Sequence, residues 1–200
     1  MDQNSIPEEN TVSEEVQAAE KPKKPGFLAG LFDYLEIFIY SAIAVILIFT
    51  FGFRLTNVMG PSMEDTLIQD EKLLISNLFY EPEQGDIIVF HELGYYNEPI
   101  VKRVIATEGQ VVDIDFSTWT VTVDGVPLEE GYRKLTQGPQ LTSDYTYPMT
   151  VPENCLFVMG DNRNHSADSR SSLIGFVDCR QILGRVICRI SPFDRFGAVD

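Results

Sequence analysis

Two side chains in this sequence have the types needed for nucleophilic catalysis without a histidine. Ser62 ends the turn sequence Gly60-Pro61-Ser62, and Lys102 lies in the apolar run 100–105. A serine hydroxyl is a weak nucleophile at its ordinary pKa, and a neutral, desolvated lysine amine can supply the neighbouring base that activates it. The pair therefore predicts a Ser/Lys protease in which the serine oxygen attacks a carbonyl group.

The residues around Lys102 predict a lowered pKa for its amine. Side chains alternate between the two faces of a strand, so Lys102 shares a face with Ile100 and Val104. Burial disfavours the charged form, and lowering the pKa of a lysine from about 10.4 to about 8 requires roughly 3 kcal/mol. Such an amine acts as a general base near neutral pH. Taken singly, Ser62 also fits a surface turn, and Lys102 also fits a side chain that extends to solvent.

A third candidate region is the polar block of residues 160–170, with the sequence GDNRNHSADSR. We interpret it as a network beside the catalytic pair, in which Ser166 orients the amine of Lys102. The residues predicted to support this network are Asp161, Asn162, Asp168 and Arg170. A well-capped surface loop is the alternative. A calcium-binding EF-hand is excluded, because serines stand where its loop needs glycine at position six and glutamate at position twelve.

Other chemistry has less support in the sequence. A histidine-based triad would use His91 or His165, but neither lies in a recognisable triad sequence. Cys155, Cys179 and Cys188 lack the CxxC spacing of zinc sites, and we expect free thiols. No metal ion or other cofactor is predicted. The net charge of −15 argues against a nucleic-acid partner, which requires clustered lysine and arginine.

The N-terminal part of the chain predicts a membrane anchor. Residues 1–20 contain six carboxylates and no lysine or arginine, so we expect residues 1–26 to form a disordered acidic tail. Residues 27–53 are predicted to form a transmembrane helix and its flank. Within them, 37–53 is an unbroken apolar run of seventeen residues, which is about 26 Å of helix. A cleaved signal sequence and a buried core helix are the alternatives.

The basic residues near this helix indicate its orientation. Lys21, Lys23 and Lys24 are the only lysines or arginines before Arg54. The positive-inside rule therefore places the N-terminus in the cytoplasm and residues 54–200 on the outer side. We expect a single-pass protein of the cell membrane with its larger domain outside the cytoplasm.

After residue 54 the pattern changes to short β-branched runs, which are typical of strands. The predicted strands are 72–76, 86–90, 100–107, 110–115, 118–123, 126–128, 155–159 and 181–190. Turn signals such as Asp124-Gly125 separate neighbouring runs, and no long helical pattern lies between them. We therefore predict a mostly β fold in which an antiparallel domain at 54–200 follows the transmembrane helix.

In combination these segments resemble the bacterial type I signal peptidases, which are membrane-bound serine endopeptidases. The similar segments are the helix, GPSMEDTL at 60–67, GDIIVF at 85–90, VKRVI at 101–105 and the block 160–170, in the family's order. The resemblance implies that Ser62 is the nucleophile, Lys102 the general base and Ser166 the serine that positions the lysine. Asp161, Asp168 and Arg170 match structural residues of the family. The implied fold is a β-rich catalytic core with a smaller β subdomain inserted at about 108–152.

Two positions depart from the family pattern. Asp65 stands where the family usually has proline. Gly60 stands where some members have a serine whose hydroxyl helps to form the oxyanion hole. The backbone amide of Ser62 and a second backbone donor near Gly60 would then stabilise the oxyanion.

The resemblance also implies a substrate and a place of action. The protein would cleave N-terminal signal peptides from exported preproteins at the membrane surface, so its partners would be those preproteins and the lipid bilayer. Shallow apolar pockets would accept the small residues of an A-x-A site. Two alternatives are a catalytically inactive membrane-tethered adaptor and a related Ser/Lys autoprotease of the repressor type.

Overall fold

The computed structural model describes residues 27–92, 94, 98–135 and 143–199. The predicted acidic tail at 1–26, with its three lysines, lies outside these residues. Contacts within the chain define two compact units, Met1–Ile43 and Ala44–Asp200. The described part of the first unit is helical, and the second unit contains the end of the same helix and the described strands.

Helix α1 spans Phe27–Gly52, and Phe53 already belongs to the first strand. The segment Leu31–Gly52 has 22 residues with a mean hydropathy of 2.2, and 6% of its most apolar window is buried. An apolar helix that is not covered by protein needs an apolar solvent. At about 1.5 Å per residue the segment is about 33 Å long, enough to cross a hydrocarbon core of about 30 Å. Its length and composition are those of a membrane-spanning helix.

Eleven strands are present in the described part of the chain. They are β1 (Phe53–Asn57), β2 (Lys72–Ser76), β3 (Ile87–Phe90), β4 (Ile100–Ala106), β5 (Val111–Asp115), β6 (Thr120–Val123), β7 (Val126–Pro127), β8 (Met149–Thr150), β9 (Cys155–Met159), β10 (Val177–Asp178) and β11 (Ile182–Ser191). Single 3₁₀ turns occur at Arg163–His165, Cys179–Gln181 and Phe193–Arg195. The strand pairs are antiparallel, so the predicted mostly β fold is confirmed.

The larger sheet has the strand order β1-β2-β11-β3-β4-β9-β10. Strand β4 lies between β3 and β9, with Lys102 paired to Ile88 and Val104 paired to Val158. Neighbours on both sides and apolar residues on both faces bury β4 from Val101 to Ala106. The strand that carries Lys102 therefore lies in the least solvated part of the sheet.

The smaller sheet has the order β7-β6-β5-β8 and lies between Val111 and Thr150, inside the range 108–152. Strands β6 and β7 meet at the predicted turn, where Asp124 and Gly125 have φ values of 53° and 78°. Two consecutive positive φ values define the tight turn whose twist matches a hairpin, and Asp-Gly tolerates them. The turn signal in the sequence is thus located correctly.

Among the described residues, buried apolar side chains form three clusters around these sheets. One cluster packs residues of the loop after β1 against the large sheet, and it includes Val58, Met63, Leu67, Leu73, Ile75 and Val89. A second cluster joins the two sheets and includes Ile105, Val112, Ile114, Val121, Phe157 and Met159. The third includes Ile88, Phe90, Val104, Leu156, Val158 and Val177. The three cysteines are free thiols.

Candidate active site

Ser62 lies on the loop between β1 and β2, and buried neighbours fix its position. Met63 and Leu67 follow it and are inserted into the first apolar cluster, with the N–H of Leu67 donating to the Met63 carbonyl at 2.8 Å. Gly60 has a φ of 75°, a conformation that residues with a side chain rarely adopt. The glycine lets the chain turn sharply and leaves the half-buried Ser62 at the surface of a cleft.

Lys102 extends from the centre of β4 to the same point. Its amine donates to Ser62 Oγ at 2.7 Å and to the carbonyl of Val101 at 2.9 Å. The side chain is 2% exposed. Burial lowers the pKa of the Lys102 amine to about 8, and the nearby carboxylates of Asp168 and Asp161 oppose the shift in part. The structure therefore brings together the two residues that the sequence indicated as a catalytic pair.

Asn162 connects the 160–170 block to the nucleophile loop. Its backbone N–H donates to the carbonyl of Ser62 at 3.0 Å, and its side-chain amide donates to the carbonyl of Pro61 at 3.1 Å. Both acceptors belong to the peptide units around the nucleophile. Asn162 thus holds the backbone that carries the Ser62 hydroxyl.

Asp161 is fully buried between two other parts of the site. Its carboxylate accepts two hydrogen bonds from the Arg103 guanidinium, at 3.0 and 2.8 Å, and one from Thr66 Oγ1 at 2.6 Å. A buried carboxylate requires such partners, because an unpaired charge in the interior is strongly unfavourable. Through Asp161, the strand of Lys102 and the loop of Ser62 are joined to the 160–170 block.

Asp168 organises the other end of the block. It accepts hydrogen bonds from Ser166 Oγ at 2.6 Å, from the N–H of Gly160 at 3.0 Å and from Arg170 at 2.8 Å. Burial is the largest influence and raises the pKa of the Asp168 carboxyl, but the Arg170 guanidinium and the hydrogen bonds from Ser166 and Gly160 together outweigh burial and hold the pKa below its ordinary value. The Asp168 carboxylate is therefore charged at neutral pH.

The Ser166 hydroxyl donates to Asp168, whereas the hydrogen bonds of the Lys102 amine within the described residues go to Ser62 and Val101. Ser166 nevertheless lies close to the nucleophile. A Cβ on Gly160 would collide with both the Ser62 carbonyl and the Ser166 side chain, whose own Cβ would be 2.6 Å away. Only glycine fits between these two residues. The predicted orienting role of Ser166 stays a prediction.

Backbone donors for an oxyanion are present at the turn. Within the described part of the chain, neither the Ser62 N–H nor the Gly60 N–H donates a hydrogen bond. A Cβ on Gly60 would meet no atom within 4 Å, so this position requires glycine for its backbone conformation and not for lack of space. Pro61 has no N–H, so on the N-terminal side of the nucleophile the amides of Ser62 itself and of Gly60 are the donors nearest to the Ser62 hydroxyl along the chain.

A cleft of about 440 Å³ opens beside the catalytic pair. Its lining is mostly apolar and comprises Met59, Gly60, Pro61, Ser62, Glu98, Pro99, Ile100, Lys102, His165 and Ala167. Of the two histidines considered for a triad, His165 is exposed in this cleft and His91 is not part of it. Among the residues described, no group of three or more His, Cys, Asp or Glu side chains is arranged to hold a metal ion.

Three charged residues of the site were not predicted. Arg103 is buried and forms an ion pair with Asp161. The sequence indicated it only indirectly, because a buried carboxylate such as Asp161 requires a cationic partner. Arg163 is completely buried and forms an ion pair with Glu130, which lies in the loop after β7. No local pattern links these two, because they are 33 residues apart.

Comparisons with known proteins agree with this geometry. Residues 31–191 match the family described as "Signal peptidase, peptidase S26". The "Probable signal peptidase I-1" of Synechocystis sp. is 39% identical over 70% of this chain and 72% of its own length. The "Signal peptidase I" of Leptolyngbya laminosa is 33% identical over 90% of this chain and 88% of its own length. The "Signal peptidase I" of Bacillus licheniformis is 33% identical over 86% of this chain and 94% of its own length.

A solved structure is also similar. The crystal structure of a signal peptidase I from Enterococcus faecalis V583 matches with a TM-score of 0.44 and 31% sequence identity. The match covers 53% of this chain and 97% of that chain.

Proposed function

Because the chain belongs to the signal peptidase family, peptidase S26, we propose that it removes signal peptides by means of Ser62 and Lys102. The chain is a serine-type endopeptidase of the signal peptidase I type, and its substrates are preproteins that carry signal peptides. The observation that carries the catalytic assignment is the 2.7 Å distance between a buried amine and the Ser62 hydroxyl.

The first half of the reaction forms an acyl-enzyme. The neutral Lys102 amine accepts the proton of the Ser62 hydroxyl while Oγ attacks the carbonyl carbon at the end of the signal peptide. The resulting oxyanion is stabilised by the N–H groups of Ser62 and Gly60. When the intermediate collapses, the C–N bond breaks and the Lys102 ammonium returns its proton to the amine of the mature protein. The signal peptide is left as an ester on Ser62.

The second half releases the signal peptide. The neutral Lys102 amine takes a proton from a water molecule, and the hydroxide attacks the ester carbonyl. The proton then passes from Lys102 to Ser62 Oγ as the ester bond breaks. Each cycle therefore needs the amine in its neutral form, and a pKa of about 8 leaves part of the population neutral at physiological pH.

Substrate selection follows from the cleft. Met59, Pro99, Ile100 and Ala167 give it apolar walls that suit small side chains of the A-x-A type. Among the described strands, β1 is at one edge of the large sheet, and the backbone groups on its unpaired side would bind an extended peptide.

The catalytic assignment is tested with full-length protein in detergent micelles and a purified preprotein. Under single-turnover conditions the wild type is expected to cleave the preprotein, and Ser62→Ala is expected not to cleave it. Ser76→Ala, on β2, is the matched control, since its hydroxyl donates to the carbonyl of Gly52 and accepts from the N–H of Leu78, both outside the cleft. If wild type does not cleave, the inactive adaptor is correct; if Ser62→Ala cleaves at the wild-type rate, Ser62 is not the nucleophile.

Helix α1 and the family fit a membrane-anchored protein, and we place its N-terminus in the cytoplasm. Lys21, Lys23 and Lys24 support this orientation by the positive-inside rule. In a variant whose three cysteines are replaced by serine, a single Val126→Cys at the exposed tip of the small sheet serves as a reporter. A membrane-impermeant maleimide should label it in intact cells. Labelling only after lysis would reverse the orientation.

Contact with the lipid bilayer is proposed for the segment after β2. Leu78 is 52% exposed and Phe79 is 98% exposed, and Leu78 lies beside Gly52 at the end of α1. Exposed apolar side chains next to a membrane-spanning helix are favourable only where lipid covers them. Phe79→Ser is expected to slow cleavage of a preprotein in liposomes and leave cleavage in detergent unchanged. Equal rates in liposomes would contradict the contact.

A further inference from the structure

Residues 130–134, in the loop after the small sheet's strand β7, lie against the catalytic loops. The N–H of Lys134 donates to the carbonyl of Asp161 at 2.9 Å, and the N–H of Arg163 donates to the carbonyl of Lys134 at 3.1 Å. Lys134 and Asn162 thereby form a short parallel bridge. The residues on either side of Asn162, which holds the nucleophile backbone, are thus fixed by the 130–134 segment.

Glu130 strengthens this contact by pairing with Arg163. The Glu130 carboxylate accepts hydrogen bonds from both terminal nitrogens of Arg163, one of them at 3.0 Å. Arg163 is fully buried, and its Nε donates to the carbonyl of Gly160 at 3.1 Å. A buried guanidinium keeps one orientation only while an anionic partner is present. Glu130 therefore determines where Arg163 holds Gly160, the glycine that fits between Ser62 and Ser166.

Tyr132 supports the strand of the base. The Cζ of Arg103 lies 3.9 Å from the centroid of the Tyr132 ring, which is a cation–π contact. The same guanidinium group donates two hydrogen bonds to the Asp161 carboxylate. Arg103 is the residue after Lys102, so a shift of Arg103 is transmitted directly to the backbone of the base.

Lys134 reaches the nucleophile loop itself. Its ammonium donates to Asp65 Oδ1 at 2.8 Å and lies 3.7 Å from Glu64 Oε2. Asp65 occupies the position at which the sequence departs from the usual proline. One short segment thus contacts the loop of Ser62, the residue next to Lys102 and the loop that carries Asn162.

Resting on the catalytic assignment above, we propose that Glu130 and Tyr132 are positioning residues for signal-peptide cleavage. They hold Arg163 and Arg103, and through them the 2.7 Å contact between Lys102 and Ser62. They touch neither the cleft nor the reacting atoms. Their effect is therefore expected on the catalytic step and not on preprotein binding.

The test compares Glu130→Gln with Glu129→Gln in full-length protein in detergent micelles. Glu129 is the exposed neighbour of Glu130 and serves as the matched control. Because small misplacements of catalytic groups have large kinetic effects, kcat for a purified preprotein should fall at least about tenfold in Glu130→Gln, with KM within about twofold of wild type. Glu129→Gln should match wild type in both constants.

A second pair keeps the test valid if Glu130→Gln does not fold. Tyr132→Leu removes the aromatic face, and Tyr132→Phe retains it, so phenylalanine should recover most of the kcat lost with leucine. Circular dichroism at the assay temperature reports the folded fraction of each variant. The proposal is overturned if the folded variants keep the wild-type kcat, or if kcat falls only in proportion to the folded fraction. If Ser62→Ala and Lys102→Ala are themselves active, the catalytic assignment fails instead.

Discussion

The rate of signal-peptide cleavage should rise with pH and level off above about pH 8, because the reaction needs the neutral amine of Lys102. Burial among the apolar residues of β3, β4 and β9 lowers the pKa of this amine from 10.5 to about 8. The protonated form, which cannot act as a base, therefore predominates below pH 8 and is lost above it. The experiment changes only the pH of the buffer and uses the wild-type protein without substitutions.

The size of the effect follows from the two pKa values. With a pKa of about 8, the neutral amine makes up about 1% of the population at pH 6, about 10% at pH 7 and half at pH 8. An amine with a pKa of 10.5 would be only about 0.03% neutral at pH 7. Burial of Lys102 thus increases the concentration of active base at pH 7 about 300-fold.

The assay is kcat/KM for a purified preprotein between pH 6 and 10, because this ratio reports ionisation of the free enzyme. A slope of about one tenfold increase per pH unit should be seen below pH 7.5, with a plateau above pH 9. Circular dichroism over the same range controls for unfolding. A rate that still rises tenfold per unit at pH 9.5 would mean that the pKa of Lys102 is not lowered. A rate independent of pH would mean that no such base takes part.

Three further changes test individual parts of the site. Gly160→Ala places a methyl group against the Ser62 carbonyl and Ser166, so single-turnover cleavage should fall at least about 100-fold; wild-type cleavage would show that the loop can move aside. Asn162→Ala removes a side-chain hydrogen bond to Pro61 and should lower kcat about fivefold, since such a bond contributes about 1 kcal/mol; an unchanged kcat would refute its role. Lys102→Met should be more stable than wild type by up to about 3 kcal/mol at pH 7 in thermal unfolding. Between pH 8 and 10.5 the unfolded wild type binds more protons than the folded wild type. The stability difference between Lys102→Met and wild type should therefore shrink across this interval. A pH-independent stability difference would contradict the lowered pKa of Lys102.

Much of the fold could be predicted because strand patterns and turn residues are local. Strands β2 and β9 coincide with the predicted 72–76 and 155–159, and the Asp124-Gly125 turn lies where expected. Strand β1 was not predicted, since it begins directly after Gly52, the last residue of α1, with no loop between the two. Strands β8 and β10 are only two residues long, too short to produce a pattern of alternation.

The site could be predicted where one residue and its immediate sequence neighbours determine the chemistry. A lysine in an apolar strand predicts a lowered pKa, and Lys102 has that environment. The contacts that hold the pair together are long-range: Thr66 with Asp161, Glu130 with Arg163. Such partners are determined by the folded structure and not by sequence spacing. The Ser166 hydroxyl, by contrast, donates to Asp168, which is only two residues along the chain.

The most direct test of the central claim is the single-turnover rate of Lys102→Met with a purified preprotein at pH 8. Lys72→Met, which changes an exposed lysine on β2, is the control. A general base contributes about 10²- to 10⁴-fold, so Lys102→Met should cleave at least about 100-fold more slowly than wild type while remaining fully folded. Cleavage by folded Lys102→Met at the rate of the control would contradict the role of Lys102 as the base that activates Ser62.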